Sequence, residues 1–141
     1  MSVEFSDEAR RYLALFDRET GVPARDCLID DEDDRIIFLI PPGEMADAIG
    51  PGGRTIRAFE SLVDRRVELV EDADTPEDFV ANSLAPAAVY NVTISENQDV
   101  VAYAEVAHED RGIAIGSDGR TIRRARRLAK RHFNIDGVEL A

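Results

Sequence analysis

The stretch AIGPGGRTIR (residues 48–57) returns as AIGSDGRTIR (114–123), 66 positions later, with eight of its ten residues unchanged. In each copy two glycines three apart bound a turn: Gly50 and Gly53 in the first, Gly116 and Gly119 in the second. Pro51-Gly52 and Ser117-Asp118 lie between them. Glycine reaches backbone angles closed to other residues and leaves room for a second backbone to approach. A helix starting directly after such a turn presents unsatisfied amides and a partial positive end, which suits a phosphate oxygen. Arg54 and Arg120 follow the second glycine, and Arg57 and Arg123 lie three positions on, along the same side of the helix. A phosphodiester laid against either turn would meet glycine, amides and guanidinium groups in succession.

The elements around the two copies also repeat. Ser6 can cap a helix with Asp7 and Glu8 in its first turn and Tyr12, Leu13 and Phe16 as apolar positions, ending before Gly21. The run 26–40 reads as a hairpin, with strands at 27–29 and 35–40 around an acidic turn at 30–34. A short helical turn with Met45, Ala46 and Ile49 leads into the glycines, then come a helix carrying Ile56, Phe59, Leu62 and Val63 and a strand at 67–70. The second half opens with Thr75-Pro76-Glu77-Asp78, a close match to a capping box with proline at the first helical position. Phe79, Val80 and Leu84 face inward and Pro86 ends the helix. Strands are expected at 88–94 and 99–106 around a turn at 95–98. A helix with Ile122, Ala125, Leu128 and Ala129 follows the second loop, then a last strand from Phe133 to Ile135, with Leu140 as its furthest extension.

Both halves therefore read helix, strand, strand, helix, turn, helix, strand. The class is α/β in the mixed, α+β sense: two domains, 1–72 and 73–141, each a three-stranded sheet covered on one face by helices.

The formal net charge of the 141-residue chain is −12, from 29 acidic and 17 basic residues, and Lys130 is the single lysine. Read alone, that balance opposes a polyanionic partner. Its distribution reverses the conclusion. Between Arg111 and Arg131 eight basic residues stand against Asp118, a local +7, which leaves −19 on the remainder. Arg124 and Arg127 join Arg120 and Arg123 there as candidates to face nucleic acid. The first loop is followed instead by Glu60, Asp64, Glu68, Glu71 and Asp72, so the second unit is expected to bind more tightly.

Ile49 and Ile115, just before the loops, can line an apolar groove for unstacked bases or join the core. Such a groove suits single-stranded nucleic acid better than a duplex. Arginine would supply salt-sensitive affinity and base contacts the specificity. Neither GxxxxGK[ST] nor GxGxxG after a strand occurs in the right setting. Cys27 is the only cysteine, so no intrachain disulfide can form, and His108 and His132 have no metal-ligand spacing. Neither a cofactor, a metal site nor a catalytic group is expected. No apolar run approaches 18 residues and the N-terminus MSVEFSDEAR is acidic, so a cytoplasmic, monomeric protein with no membrane partner is expected.

The paired IGxxGRTIR segments, each between a short and a longer helix, resemble K-homology (KH) RNA-binding domains of the type II, prokaryotic form. The whole chain is similar to the archaeal NusA-like transcription termination factors, which consist of two such domains in tandem. The resemblance makes 50–53 and 116–119 the signature loops, with Ile49 and Ile115 before them and Arg54, Arg57, Arg120 and Arg123 facing an RNA backbone. It implies single-stranded RNA binding across both domains, with RNA polymerase as a further partner, in transcription termination or antitermination. A KH protein of ribosome assembly or translation is the alternative, and so is a protein-interaction module whose loops no longer bind RNA. Asp118 departs from the basic residue often found inside such loops. The excess of acids with almost no lysine also resembles proteins of salt-loving archaea.

Overall fold

The computed structural model describes residues 4–141; residues 1–3, at the start of the acidic N-terminal stretch, lie outside the described residues. These residues form two compact units, with the chain passing from one to the other between Asp72 and Ala73. The first runs α1 (Asp7–Thr20), β1 (Asp26–Asp30), β2 (Arg35–Ile40), α2 (Met45–Ile49), α3 (Arg54–Val63) and β3 (Arg66–Glu71). The second runs α4 (Pro76–Ser83), β4 (Val89–Glu96), β5 (Val100–Val106), α5 (Arg111–Ile115), α6 (Arg120–Phe133) and β6 (Gly137–Leu140). Single turns of 3-10 helix, Pro51–Gly53 and Ser117–Gly119, join the short helix to the long one in each unit, and a third at His108–Asp110 precedes α5.

The sheets are ordered β1-β2-β3 and β4-β5-β6. In each, the first two strands are antiparallel and the last two parallel. The parallel pair follows from the connection: the two helices and their glycine turn return the chain to the starting end of the sheet. Two three-stranded sheets, each packed with helices, match the expected α+β class.

Hydroxyl caps set the starts of α1 and α4. Ser6 Oγ accepts from the Ala9 amide at 3.1 Å and Thr75 Oγ1 from the Asp78 amide at 3.2 Å. The α1 C-terminus closes on Gly21, whose left-handed backbone (φ 75°) lets its amide reach the Asp17 carbonyl.

The two cores differ in composition. In the first, Phe16 stacks on Phe38 with centroids 4.3 Å apart, and Phe59 meets both edge-on at 5.1 and 5.4 Å. Each such pair contributes about 1 kcal/mol beyond its buried area. In the second, Ala102, Ala104, Ala114, Ala125 and Ala129 are fully buried beside Val80, Leu84 and Val138. Small side chains let α6 lie close on its sheet, and the ring contacts of this unit lie between α4 and the end of α6, where Phe79 meets Phe133 edge-on at 5.0 Å.

The acidic turn at 31–34 is more than a solvated loop. Arg35 is 1% exposed, and its guanidinium donates to Asp30 Oδ2 on the neighbouring strand at 2.7 Å and to Glu68 Oε1 at 3.0 Å, two residues along β3 from its own register partner Arg66, so one side chain ties all three strands. Arg65 donates to Asp31 at 2.7 Å, and that hydrogen bond is the main reason its pKa is raised.

Four expectations shift. The strand expected from Phe133 to Ile135 is β6, Gly137–Leu140: α6 runs on through Phe133, and Asn134 ends it with a left-handed backbone (φ 53°), while Ile135 is buried in the core outside any strand. The hairpin turn expected at 95–98 occupies 97–99, because β4 runs on to Glu96. Leu62, read as part of the apolar stripe of α3, is 57% exposed. The first strand of the first hairpin, Asp26–Asp30, extends one residue beyond 27–29 at each end, while the second is 35–40 as expected.

Candidate nucleic-acid interface

The two loops have the same backbone. Gly50 and Gly116 adopt φ 77°, ψ 170° and φ 80°, ψ 169°; Gly53 and Gly119 adopt φ 77°, ψ 13° and φ 77°, ψ 16°. Between them Gly52 and Asp118 both take a left-handed conformation. The first glycine of each loop is required by its surroundings. A Cβ on Gly50 would lie 2.0 Å from Thr55 Oγ1 and 2.9 Å from the Thr55 amide nitrogen; on Gly116 the distances to Thr121 are 2.4 and 2.7 Å. Each loop thus packs onto the first turn of the helix it introduces. Thr55 and Thr121 were not singled out from the sequence, although their presence in both copies was visible there.

Around this turn the predicted residues come together within each unit. Ile49 and Ile115 are 38% and 41% exposed, so they line the surface instead of joining the core, whereas Ile122 is buried. Gly53 and Gly119 stand at the N-cap positions of α3 and α6 with no side-chain cap bond, which leaves the helix starts to other partners. Arg54 Nε donates to the Pro51 carbonyl at 3.1 Å, and Arg123 Nη1 donates to the Asp118 carbonyl. Arg57 folds back in the same way, since a Cβ on Gly53 would lie 2.8 Å from its Nη1. These three guanidiniums are therefore held against the loop backbone. Pro51, Gly52, Ser117 and Asp118 are exposed at the loop apices, Arg54 and Arg57 are exposed, and Arg120 and Arg123 are partly exposed.

The arginines further along α6 separate. Arg127 is exposed. Arg124, grouped with it from the sequence, is 8% exposed: its Nη2 donates to the carbonyls of Ser83 at 3.0 Å and Ala85 at 2.9 Å. It fastens the end of α4 to α6 and does not face solvent, so it is not carried forward as an RNA contact. The available signal was its spacing four residues before Leu128, which puts it beside the apolar stripe. Arg126 lies against β6, with Nε donating to the Val138 carbonyl at 3.1 Å and Nη2 3.5 Å from Glu139.

Among the described residues no three His, Cys, Asp or Glu side chains gather as metal ligands, and no helix is long and apolar enough to cross a membrane.

Comparison with known proteins bears directly on these loops. A KH domain family model matches residues 10–75, and a model described as the NusA-like second KH domain matches 76–141. The chain is 60% identical over 141 residues, all of both chains, to the "Probable transcription termination protein NusA" of Halococcus morrhuae. It is 56% identical over 140 residues, 99% of each chain, to the protein of the same name from Halobacterium salinarum. The crystal structure of APE1850 superposes with a TM-score of 0.87 at 31% identity, covering 97% of this chain and 100% of that one. With the tandem repeat, the paired glycine loops and these relatives together, the chain belongs to the family of NusA-like transcription termination proteins built on KH domains.

Proposed function

We propose that the protein binds single-stranded RNA at both KH units and acts with RNA polymerase in transcription termination or antitermination, as a monomer in the cytoplasm. Each loop receives a stretch of backbone: glycine allows the approach, the uncapped amides of α3 or α6 and the adjacent arginines neutralise phosphate, and Ile49 or Ile115 supports an unstacked base. The observation that carries this reading is the repetition of one backbone geometry, with an exposed isoleucine on one side and arginines on the other, in both units.

Affinity is expected to concentrate in the second unit. There the span from Arg111 to Arg131 is +7 with Asp118 counted, while acids follow the first loop. Asp118 also favours a second reading, a protein-interaction module with loops that no longer hold RNA, because its carboxylate repels phosphate at short range.

Binding of short single-stranded RNAs at several salt concentrations, with Gly52→Asp and Ser117→Asp made singly and together, decides between them. The expected result is weakened binding with the fold retained, more severe for Ser117→Asp, and a salt dependence that diminishes as contacts are lost. Unchanged affinity in the double variant would remove the loop mechanism.

A further inference from the structure

The two units repeat one fold, yet they treat the first edge of the sheet differently. In the first unit that edge is β1, five residues long with four of them buried. In the second it is β4, eight residues long, with Tyr90, Asn91, Thr93 and Glu96 exposed. Among the described residues β4 pairs with β5 alone, so its outer row of backbone groups has no strand beside it. The opposite edge is less open: β6 has its Val138 carbonyl engaged by Arg126.

A groove of about 410 Å³ runs beside the open edge, between α4 and the start of β4. Glu77, Asp78 and Ala81 form its helical wall and residues 89–92 its strand wall; no basic residue lines it. The register shift between Val89 and Asn91 makes Tyr90 the extra residue of a bulge, and its side chain is 73% exposed. An unpaired strand edge is a template for an added strand, and natural edges are commonly guarded by lysine, proline, inward-pointing charge or a bulge, of which this edge has the bulge at Tyr90 alone, leaving 91–96 regular. Within Val89–Glu96 there is neither lysine nor proline.

The geometry points to a protein-docking site: an extended, basic segment of a partner protein adds as a strand to β4 and lays its cationic side chains into the Glu77–Asp78 groove. Backbone hydrogen bonds to the edge supply affinity. Two carboxylates in a groove whose lining, among the described residues, holds no cation select Lys or Arg, and the exposed ring of Tyr90 offers a face on which a cation can rest. The same charge disfavours RNA, which separates this edge from the basic loop surface. The inference does not depend on where RNA binds.

The test is an amide-resolved NMR titration of the full chain, at the lowest salt that retains the fold. The probe is an eight-residue peptide of alternating Lys and Val. Three controls accompany it: the Glu/Val counterpart, a Lys/Val peptide with alternate backbone nitrogens methylated, and an oligouridine RNA. The Lys/Val peptide is expected to shift amides within 89–96 and slow their exchange, with Glu77→Lys and Tyr90→Ala each weakening it at least fivefold. The methylated and acidic peptides are expected not to bind there. Equal binding of the methylated peptide would overturn strand addition, equal binding of the acidic peptide would overturn charge selection, and shifts of the same amides by RNA would overturn the choice of a protein partner. No response in 89–96 to the Lys/Val peptide would overturn the site itself.

Discussion

Gly52 and Asp118 hold the same position in their loops with the same left-handed backbone, φ 60°, ψ 20° against φ 54°, ψ 26°. The loop therefore does not need glycine there, and the space beside Gly52 is open, with nothing within 4 Å of a Cβ added to it. What differs is chemistry: one apex is bare and the other presents a carboxylate.

That equivalence makes a reciprocal exchange informative. Asp118→Gly should strengthen RNA binding and Gly52→Asp should weaken it, each with the fold unchanged. One charge about 4 Å from a phosphate in water is worth about 1 kcal/mol, or roughly fivefold in affinity, and less as salt rises. Fluorescence anisotropy with a short labelled RNA across a salt series measures both. Identical affinities for the wild type and Asp118→Gly at the lowest salt would mean that the carboxylate does not face the bound strand.

The glycines themselves should divide by role. At Gly50 an alanine Cβ would collide with Thr55, and φ 77°, ψ 170° is a region open essentially to glycine alone. Gly50→Ala should cost about 3 kcal/mol of stability. Gly52→Ala meets no neighbour and should cost about 1 kcal/mol, the penalty of a left-handed non-glycine residue. Chemical denaturation followed by circular dichroism gives both values, and equal midpoints for the two variants would contradict the packing of the loop on Thr55.

Much of this was legible from the residues. Eight identical positions in ten impose the same turn twice, and the hydroxyls of Ser6 and Thr75 mark where helices begin because few other side chains satisfy the open amides. The end of α6 was not legible: Asn134 stops the helix through a backbone conformation that asparagine adopts only in some settings, so nothing local separated Phe133 in a helix from Phe133 in a strand. Arg124 was hidden for a different reason. Its partners are backbone carbonyls of Ser83 and Ala85, which carry no sequence signal, and four other arginines crowd the same stretch. Arg35 shows the same limit, since its burial depends on Glu68 arriving from a distant strand.

Acid should loosen the second unit at a definite place. Asp136 accepts from Lys130 Nζ at 2.8 Å and from the Val100 amide at 2.9 Å, and chiefly the lysine holds its carboxyl below the usual range. A depressed folded-state pKa gives stability that is present above the unfolded value of about 3.9 and is lost as pH falls through the folded value. Asp136→Asn should therefore be less stable than the wild type at neutral pH, and the gap should close as the solution is acidified below that range. Urea midpoints measured at successive pH values test the sign. A gap that persists unchanged in strong acid would assign the loss to packing instead.

Arg124 and Arg127 stand three positions apart on α6, and their removal should be read by different instruments. The Arg124 guanidinium is buried and satisfies the carbonyls of Ser83, the last residue of α4, and of Ala85 just past it, so Arg124→Ala leaves those acceptors without this donor in a closed space. A cost of about 3 kcal/mol is expected, in the range for breaking buried charge-assisted bonds. Arg124→Lys should recover little of it, because one ammonium cannot reproduce the planar fork. Arg127 is exposed, and if it meets a phosphate, Arg127→Ala should weaken RNA binding about evenly across sequences and lower the salt slope by about 1. Denaturation midpoints and salt-dependent binding, taken on the same two variants, form the check. A binding defect in Arg124→Ala as large as that of Arg127→Ala, under conditions where both are folded, would return the buried arginine to the RNA surface.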